Sequence, residues 1–182
     1  LKFSNKPGII SFAGGYPAPD LFPIAEVTDI INELMAKDGK NILQYGPSEG
    51  HLPLREEMVK FMKTQGVDLS IDQLFIITSS QQGLDLVSKL FIDPGDVIIT
   101  GKPTYIGAIM AFNCYSAKMH GVELEDDGIH TGKLEEEIKK LASENRKPKF
   151  IYVIPDFQNP SGITISLEKR KELFGEFHHE NT

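Results

Sequence analysis

Three short stretches carry residue types that could do chemistry on a ligand: Ser79-Ser80-Gln81-Gln82, Pro103-Thr104-Tyr105 and Asn159-Pro160-Ser161-Gly162. The first sets small hydroxyls at the expected start of a helix. Unpaired amides and a partial positive charge there can hold a phosphate, although Ser80 could equally cap the helix and do nothing more. The second offers an aromatic ring, able to stack on a flat cofactor or simply to fill a core or its rim. The third offers an asparagine amide in a turn stiffened by proline. It could donate to a ligand oxygen, yet all four of its residue types are also ordinary turn formers.

The elements that must position these residues can be read from the apolar pattern. Each stretch stands just beyond a run that suits a buried strand: Leu74–Thr78 (LFIIT), Val97–Thr100 (VIIT) and Lys149–Ile154 (KFIYVI). A further strand is expected over Ala117–Glu123. Helices are expected after Ser79-Ser80 with Leu84, Val87 and Phe91 as the apolar stripe, over Ile106–Phe112, over Leu134–Leu141, and beyond Ser166. Strand and helix thus alternate from Leu74 onward. That predicts an α/β fold with a mostly parallel sheet and helices on both faces. Ligand sites in such sheets gather at the carboxyl ends of the strands, so one edge would present all three stretches.

Upstream, Ile9–Phe22 is rich in glycine and proline and reads as an extended arm. A helix should begin after Pro23, with Ile24, Val27, Ile31 and Leu34 facing inward and Gly39 near its stop. Leu43–Gly50 reads as a loop. A second helix follows, with Leu54, Met58, Phe61 and Met62 inward and Gly66 as its stop.

Composition narrows the classes. A net charge of −7 over 182 residues argues against a general nucleic-acid surface, which needs a basic footprint. The single cysteine, Cys114, excludes an internal disulfide and is expected as a buried structural thiol. No signal-peptide pattern and no apolar stretch of bilayer length is read in these residues, so neither export nor a membrane span is expected from them. Neither GxGxxG nor GxxxxGK[ST] occurs, so nucleotide-binding readings lose their usual support. His178-His179-Glu180 reads as solvated rather than metal-binding, Asp126-Asp127-Gly128 as a turn, and Glu135-Glu136-Glu137 with Lys139-Lys140 as a charged helix surface. Arg55 is expected to have a structural role.

Five stretches taken in order carry a family likeness: SFAGGYPAPDLFP (Ser11–Pro23), LQYGPSEGHLPLRE (Leu43–Glu56), ITSSQQGLDLVSKLFIDPGDVII (Ile77–Ile99), KPTYIGAIMAF (Lys102–Phe112) and YVIPDFQNPSGITISLEKRKEL (Tyr152–Leu173). Together they closely resemble the class I/II aminotransferases of the pyridoxal-phosphate fold type I group. Within it, the likeness is to the branch of 2-aminoadipate and kynurenine aminotransferases, shared by effector domains of MocR-type regulators. Ser116–Lys149 carries little family character.

The resemblance implies pyridoxal 5'-phosphate as cofactor and amino acids with 2-oxo acids as substrates. It also implies a homodimer in the cytoplasm, with no membrane or nucleic acid as partner and no metal. Ser80 and Gln81 would hold the cofactor phosphate through backbone amides and the serine hydroxyl. Tyr105 would stack on the pyridine ring, and Asn159 would hydrogen-bond the phenolic oxygen near the substrate. Tyr45 matches a tyrosine that reaches toward the phosphate of the partner subunit's site, and Gly15 a glycine near the substrate carboxylate. The Asn159–Pro160 peptide is expected to be cis. The family likeness also implies a division into residues 1–50, as arm, helix and loop of a small-domain or interface region, and 51–182, as the first part of a large domain.

Ser79 departs from the family, which often has glycine there. No lysine lies in a Ser-x-Ser-Lys context, so no catalytic residue is assigned, and the chain reads as an amino-terminal part expected to be inactive alone. The same resemblance leaves two other readings open: the effector domain of a transcription regulator, and a lyase of the same fold.

Overall fold

The computed structural model describes residues 17–178. The chain forms two compact units, Leu1–Thr78 and Ser79–Thr182.

In the first unit a short 3-10 turn, Pro19–Leu21, precedes helix α1 (Ile24–Ile42). The expected stop at Gly39 is overrun: the helix bends at Asp38, whose φ is −147°, and continues to Ile42. The stripe Ile24, Val27, Ile31 and Leu34 does not face a core. These side chains are 47–67% exposed, because no described element of this unit covers them. Helix α2 (Leu52–Thr64) starts with proline in its first turn, where the missing N–H costs nothing. It ends before Gly66, whose φ of +80° suits a residue without Cβ. Met58 and Met62 are half-buried on its inner side, but Leu54 and Phe61 are exposed.

The run Leu74–Thr78 is not a strand. A strand exists only by virtue of its ladder, and here the backbone groups find other partners. The Ile76 N–H donates to the Glu49 carbonyl at 3.0 Å. The Arg55 guanidinium donates to the carbonyls of Leu74 at 3.1 Å and Ile71 at 2.6 Å, which gives Arg55 its expected structural role. Phe75 and Ile77 remain exposed. Gly50 permits this arrangement: its φ is +105°, and a Cβ there would lie 2.6 Å from the Ile76 Cβ.

The second unit is a layered α/β structure, as the alternation predicted. Its strands are β1 (Val97–Lys102), β2 (Lys118–Glu125), β3 (Gly128–Ile129) and β4 (Pro148–Tyr152), in spatial order β3-β2-β1-β4. β1 runs parallel to both neighbours, with Val97 opposite Lys118 on one side and Thr100 opposite Tyr152 on the other. β3 turns back antiparallel on β2. The helices are α3 (Ser80–Phe91), α4 (Ile106–Cys114), α5 (Thr131–Ser143) and α6 (Leu167–His178).

The strand period of two sorts β1 between two cores. Val97 and Ile99 join Val122, Ile129, Leu134 and Leu141 on the face covered by α5, with Leu173 of α6 packed alongside. Ile98 joins Ala108, Ala111 and Phe112 on the face covered by α3 and α4. Phe112 is wholly buried and meets Phe150 and Tyr152 edge-on, at centroid distances of 5.7 and 5.4 Å, a favoured aromatic geometry.

Two side-chain expectations fail, the first on helical phase. α3 turns Ser88 rather than Val87 into the core, and Ser88 can sit there because its hydroxyl donates to the Leu84 carbonyl at 2.6 Å. Val87 and Phe91 are exposed. α4 buries Gly107, Ala108, Ala111 and Phe112, whereas Cys114, the last residue of the helix, is exposed rather than buried.

α6 is tied to the β2–β3 hairpin through Lys169, which is 8% exposed. Its ammonium pairs with Glu125 and, at 2.7 Å, with Asp127. Hydrogen bonds from Lys169 hold both carboxyls below their ordinary range. Burial works to lower the Lys169 pKa, but the two acids outweigh it and leave it raised.

Two outcomes follow for the full-length protein. Phe112→Ala should cost about 3–5 kcal/mol in denaturant unfolding, through lost burial and the cavity left behind. The Lys169 cluster should make stability fall in acid. A lowered carboxyl pKa contributes stability above its ordinary value, and this is lost as pH falls through the lowered value; the raised lysine reflects the same ion pairs and adds nothing once both acids are protonated. Lys169→Met should therefore lower the unfolding midpoint at pH 7 and converge on the wild type as acid protonates Glu125 and Asp127. Parallel curves would show the cluster to be inert.

Candidate functional site

In the second unit the carboxyl ends of β1 and β4 point to one edge of the sheet, because the two strands are parallel. The segment after β1, residues 103–107, carries Tyr105. The segment after β4, residues 153–166, carries Asn159. The first turn of α3 reaches the same edge, although no strand leads into it.

Helix α3 opens with Ser79 in the N-cap position, and no side chain caps it. The Ser79 carbonyl instead accepts from the amides of Gln82 and Gly83 at 3.1 and 3.3 Å. Among the described residues, the amides of Ser80 and Gln81 and the Ser80 hydroxyl have no partner, and Ser80 and Gln81 are exposed. No acidic residue lies in this first turn. A helix start with two free amides, a free hydroxyl and no opposing charge fits a phosphate. The capping role that the sequence left open for Ser80 is not taken.

Tyr105 is half-buried and forms the N-cap residue of α4, its carbonyl accepting from Ala108 and Ile109 at 3.1 Å. Its ring lies over Gly107. A Cβ on Gly107 would stand 2.4 Å from the Tyr105 Cε1 and 2.5 Å from the Gln81 Oε1, so the absent side chain is what lets these groups meet. The Gln81 amide donates to the Gly107 carbonyl at 3.0 Å, which joins the start of α3 to the start of α4. Burial pushes the neighbouring Tyr152 hydroxyl above its ordinary pKa, and Tyr105 adds to the shift.

Asn159 is exposed, and among the described residues its side-chain amide has no partner. The Asn159–Pro160 peptide is cis, as expected, and so is Lys102–Pro103. Gln158, just before Asn159, is 6% exposed and donates to the Pro103 carbonyl at 3.0 Å.

The three predicted stretches are therefore linked pairwise: Gln81 binds the segment of Tyr105, and that segment is bound to the turn of Asn159. Tyr45 belongs to the first unit and is fully exposed, its amide donating to the Gln44 Oε1 at 2.8 Å. Gly15 lies outside the described residues, as does His179. Sequence reasoning missed Gln158 and Gly107. Nothing in their types marked them; only a view of which groups are buried could do so.

Comparison with known proteins decides the family. Residues 10–179 match the family model for aminotransferase class I and II. The chain belongs to that family. It is 39% identical over 95% of its length to an aromatic-amino-acid aminotransferase of Thermococcus litoralis and to a 2-aminoadipate transaminase of Thermus thermophilus. These alignments cover 42% and 41% of the two relatives, so the chain spans about two fifths of the length of the curated relatives it matches. The crystal structure of a kynurenine aminotransferase from Pyrococcus horikoshii, in complex with PMP and kynurenine, superposes with a TM-score of 0.86 at 39% identity. That match covers 94% of this chain and 42% of the other. An uncharacterised helix-turn-helix-type transcriptional regulator of Bacillus subtilis also matches, at 28% identity over 91% of this chain and 33% of its own. The PLP-fold α/β architecture expected from the sequence is thereby established.

The Gly107 contact gives a direct test. In Gly107→Ala the Tyr105 ring and the Gln81 amide must retreat by about 1 Å to reach ordinary carbon–carbon separation. A crystal structure of the variant should show the ring displaced and the Gln81–Gly107 bond broken. An unmoved ring would mean that the glycine is incidental.

Proposed function

We propose that the full-length protein is a pyridoxal-phosphate-dependent aminotransferase, moving an amino group between an amino acid and a 2-oxo acid. The observation that carries this reading is the grouping, at one sheet edge, of unpaired amides, an aromatic ring over a glycine, and an unpaired asparagine amide. Family membership supports it.

Each residue then has a defined task. The amides of Ser80 and Gln81 and the Ser80 hydroxyl hold the phosphate, which the α3 start favours electrostatically. Tyr105 stacks on the ring and limits its tilt. The Asn159 amide donates to the ring's phenolic oxygen and so favours its ionised form. When bound, the cofactor supplies the electron sink for charge developing at the amino acid's α-carbon. The described part of the chain binds and orients, and no residue of it is assigned to proton transfer. Residues 51–182 as the start of the cofactor-binding domain remain part of this proposal, as does Gly15 beside the substrate carboxylate.

A homodimer in the cytoplasm belongs to the same reading. Tyr45, fully exposed on the first unit, and the uncovered apolar stripe of α1 support a contact with a second copy. Among the described residues no helix is long and apolar enough to cross a membrane. The match to a helix-turn-helix regulator favours one alternative, an effector domain that binds the same cofactor without turning over substrate. The two separate on turnover of an amino acid with a 2-oxo acid.

Ser80→Asp distinguishes a phosphate site from a helix cap. An acidic side chain in the first turn should leave the helix as stable or slightly more so. It should also raise the cofactor's dissociation constant by roughly 10–100-fold through lost charge-assisted bonds and like-charge repulsion. Absorbance titration of full-length protein with pyridoxal phosphate measures this. Wild-type protein that develops no visible band, or a variant that binds as tightly, would end the proposal.

A further inference from the structure

We infer that Gln158 is a positioning residue that sets Tyr105 and Asn159 relative to one another. This rests on the cofactor reading above, and extends it to a residue that touches no ligand.

Gln158 is the one glutamine among the described residues that is buried, at 6% exposure. A buried amide is costly unless it is matched, and here both the nitrogen and the oxygen have partners. Its Nε2 donates to the Pro103 carbonyl at 3.0 Å. Its Oε1 accepts from the Ser161 amide at 2.8 Å and from the Ser161 hydroxyl. Its own N–H donates to the Ile163 carbonyl at 2.8 Å, and its carbonyl accepts from the Gly162 amide. The side chain has only one workable orientation. Pro103 O can only accept and Ser161 N can only donate, so exchanging the oxygen and nitrogen of Gln158 would break both contacts.

The consequence lies in what flanks these bonds. Pro103 and Gly107 stand two residues either side of Tyr105, and each carbonyl accepts from a glutamine amide at 3.0 Å: Gln158 on Pro103, Gln81 on Gly107. The segment bearing the ring is thus clamped at both ends. Gln158 is also covalently next to Asn159, so the bond that fixes the ring's segment fixes the amide's segment too. The preceding Phe157 adopts φ +50° and is 82% exposed. A left-handed non-glycine residue persists only where its surroundings hold it, and here it aims Gln158 inward while Asn159 stays out.

Full-length holoenzyme tests the inference. Gln158→Met keeps the volume and loses all the side-chain bonds. It should raise the dissociation constant of pyridoxal phosphate roughly tenfold. It should also move the pH midpoint of the bound cofactor's visible band by about half a unit or more, in the same direction as Asn159→Ala. On the Asn159→Ala background the same substitution should add no further midpoint shift, since it acts through Asn159. Ser161→Ala, which removes the hydroxyl's contacts with Gln158 and with the Ile163 amide but keeps the Ser161 amide bond, is the milder change and should give a smaller shift of the same sign.

A merely structural glutamine would lower the unfolding temperature and leave the midpoint where it was. An unmoved midpoint in both variants, or shifts that add in the double variant, would overturn the inference while leaving the cofactor reading intact. A wild-type protein with no titrating band would remove that reading, and this one with it.

Discussion

The parallel pairing of β1 with β4 is the constraint on which the rest of the second unit depends. Antiparallel neighbours would send the segments bearing Tyr105 and Asn159 to opposite edges. Parallel ones send both to the same edge. That pairing demands a strand buried on both faces, and β1 meets the demand with Ile98 and Ile99 wholly inaccessible and Thr100 nearly so. It also demands crossovers that bring the chain back. α4 supplies the one between β1 and β2, and α5 the one between β2 and β4. The two cores are therefore what place a few polar groups a hydrogen bond apart.

An acidic chain that holds an anion is no contradiction once charge is located. The carboxylates of the second unit are largely engaged elsewhere. Glu125 and Asp127 pair with Lys169, Glu123 with Lys133, and Glu137 with His120 and Lys140. The first turns of α3 and α4 contain no acid. The local field at that edge is set by backbone dipoles at short range, whereas the net charge of −7 acts at distances where salt screens it.

Legibility in the sequence followed the strength of the period. β1 and β4 are short apolar runs bounded by turn residues, and they lie where the pattern put them. The order of strand, turn and helix was enough to place Tyr105 and Asn159 at one edge. Leu74–Thr78 has the same apolar signature and is no strand, because periodicity reports burial preference and says nothing of whether a partner strand exists. Val87 and Ser88 are adjacent in sequence and only a 100° rotation apart. The sequence favoured the valine, and the hydroxyl bond to Leu84 admits the serine. Cys114 misled because it is the last residue of an apolar run, where the helix ends and the burial with it.

Gln158 illustrates a deeper limit. Its neighbour Asn159 is legible because a ligand-facing amide in a proline turn has a recognisable context. A glutamine next to it looks like any surface residue until its bonds are counted. The geometry divides labour between such neighbours. Ser80 and Asn159 keep their side chains unpaired, while Gln81 and Gln158, one position away, spend theirs on backbone carbonyls. Both groups could not do both tasks, since an amide N–H already donating to Pro103 or Gly107 is less available to a ligand. Placing a tether beside each free group lets the free group stay solvent-facing without becoming mobile, because the rotatable bonds left to it begin at a fixed backbone. Precision at this edge therefore comes from side-chain amides committed to backbone carbonyls, and substitution of such residues should change how a ligand is held before it changes whether the chain folds.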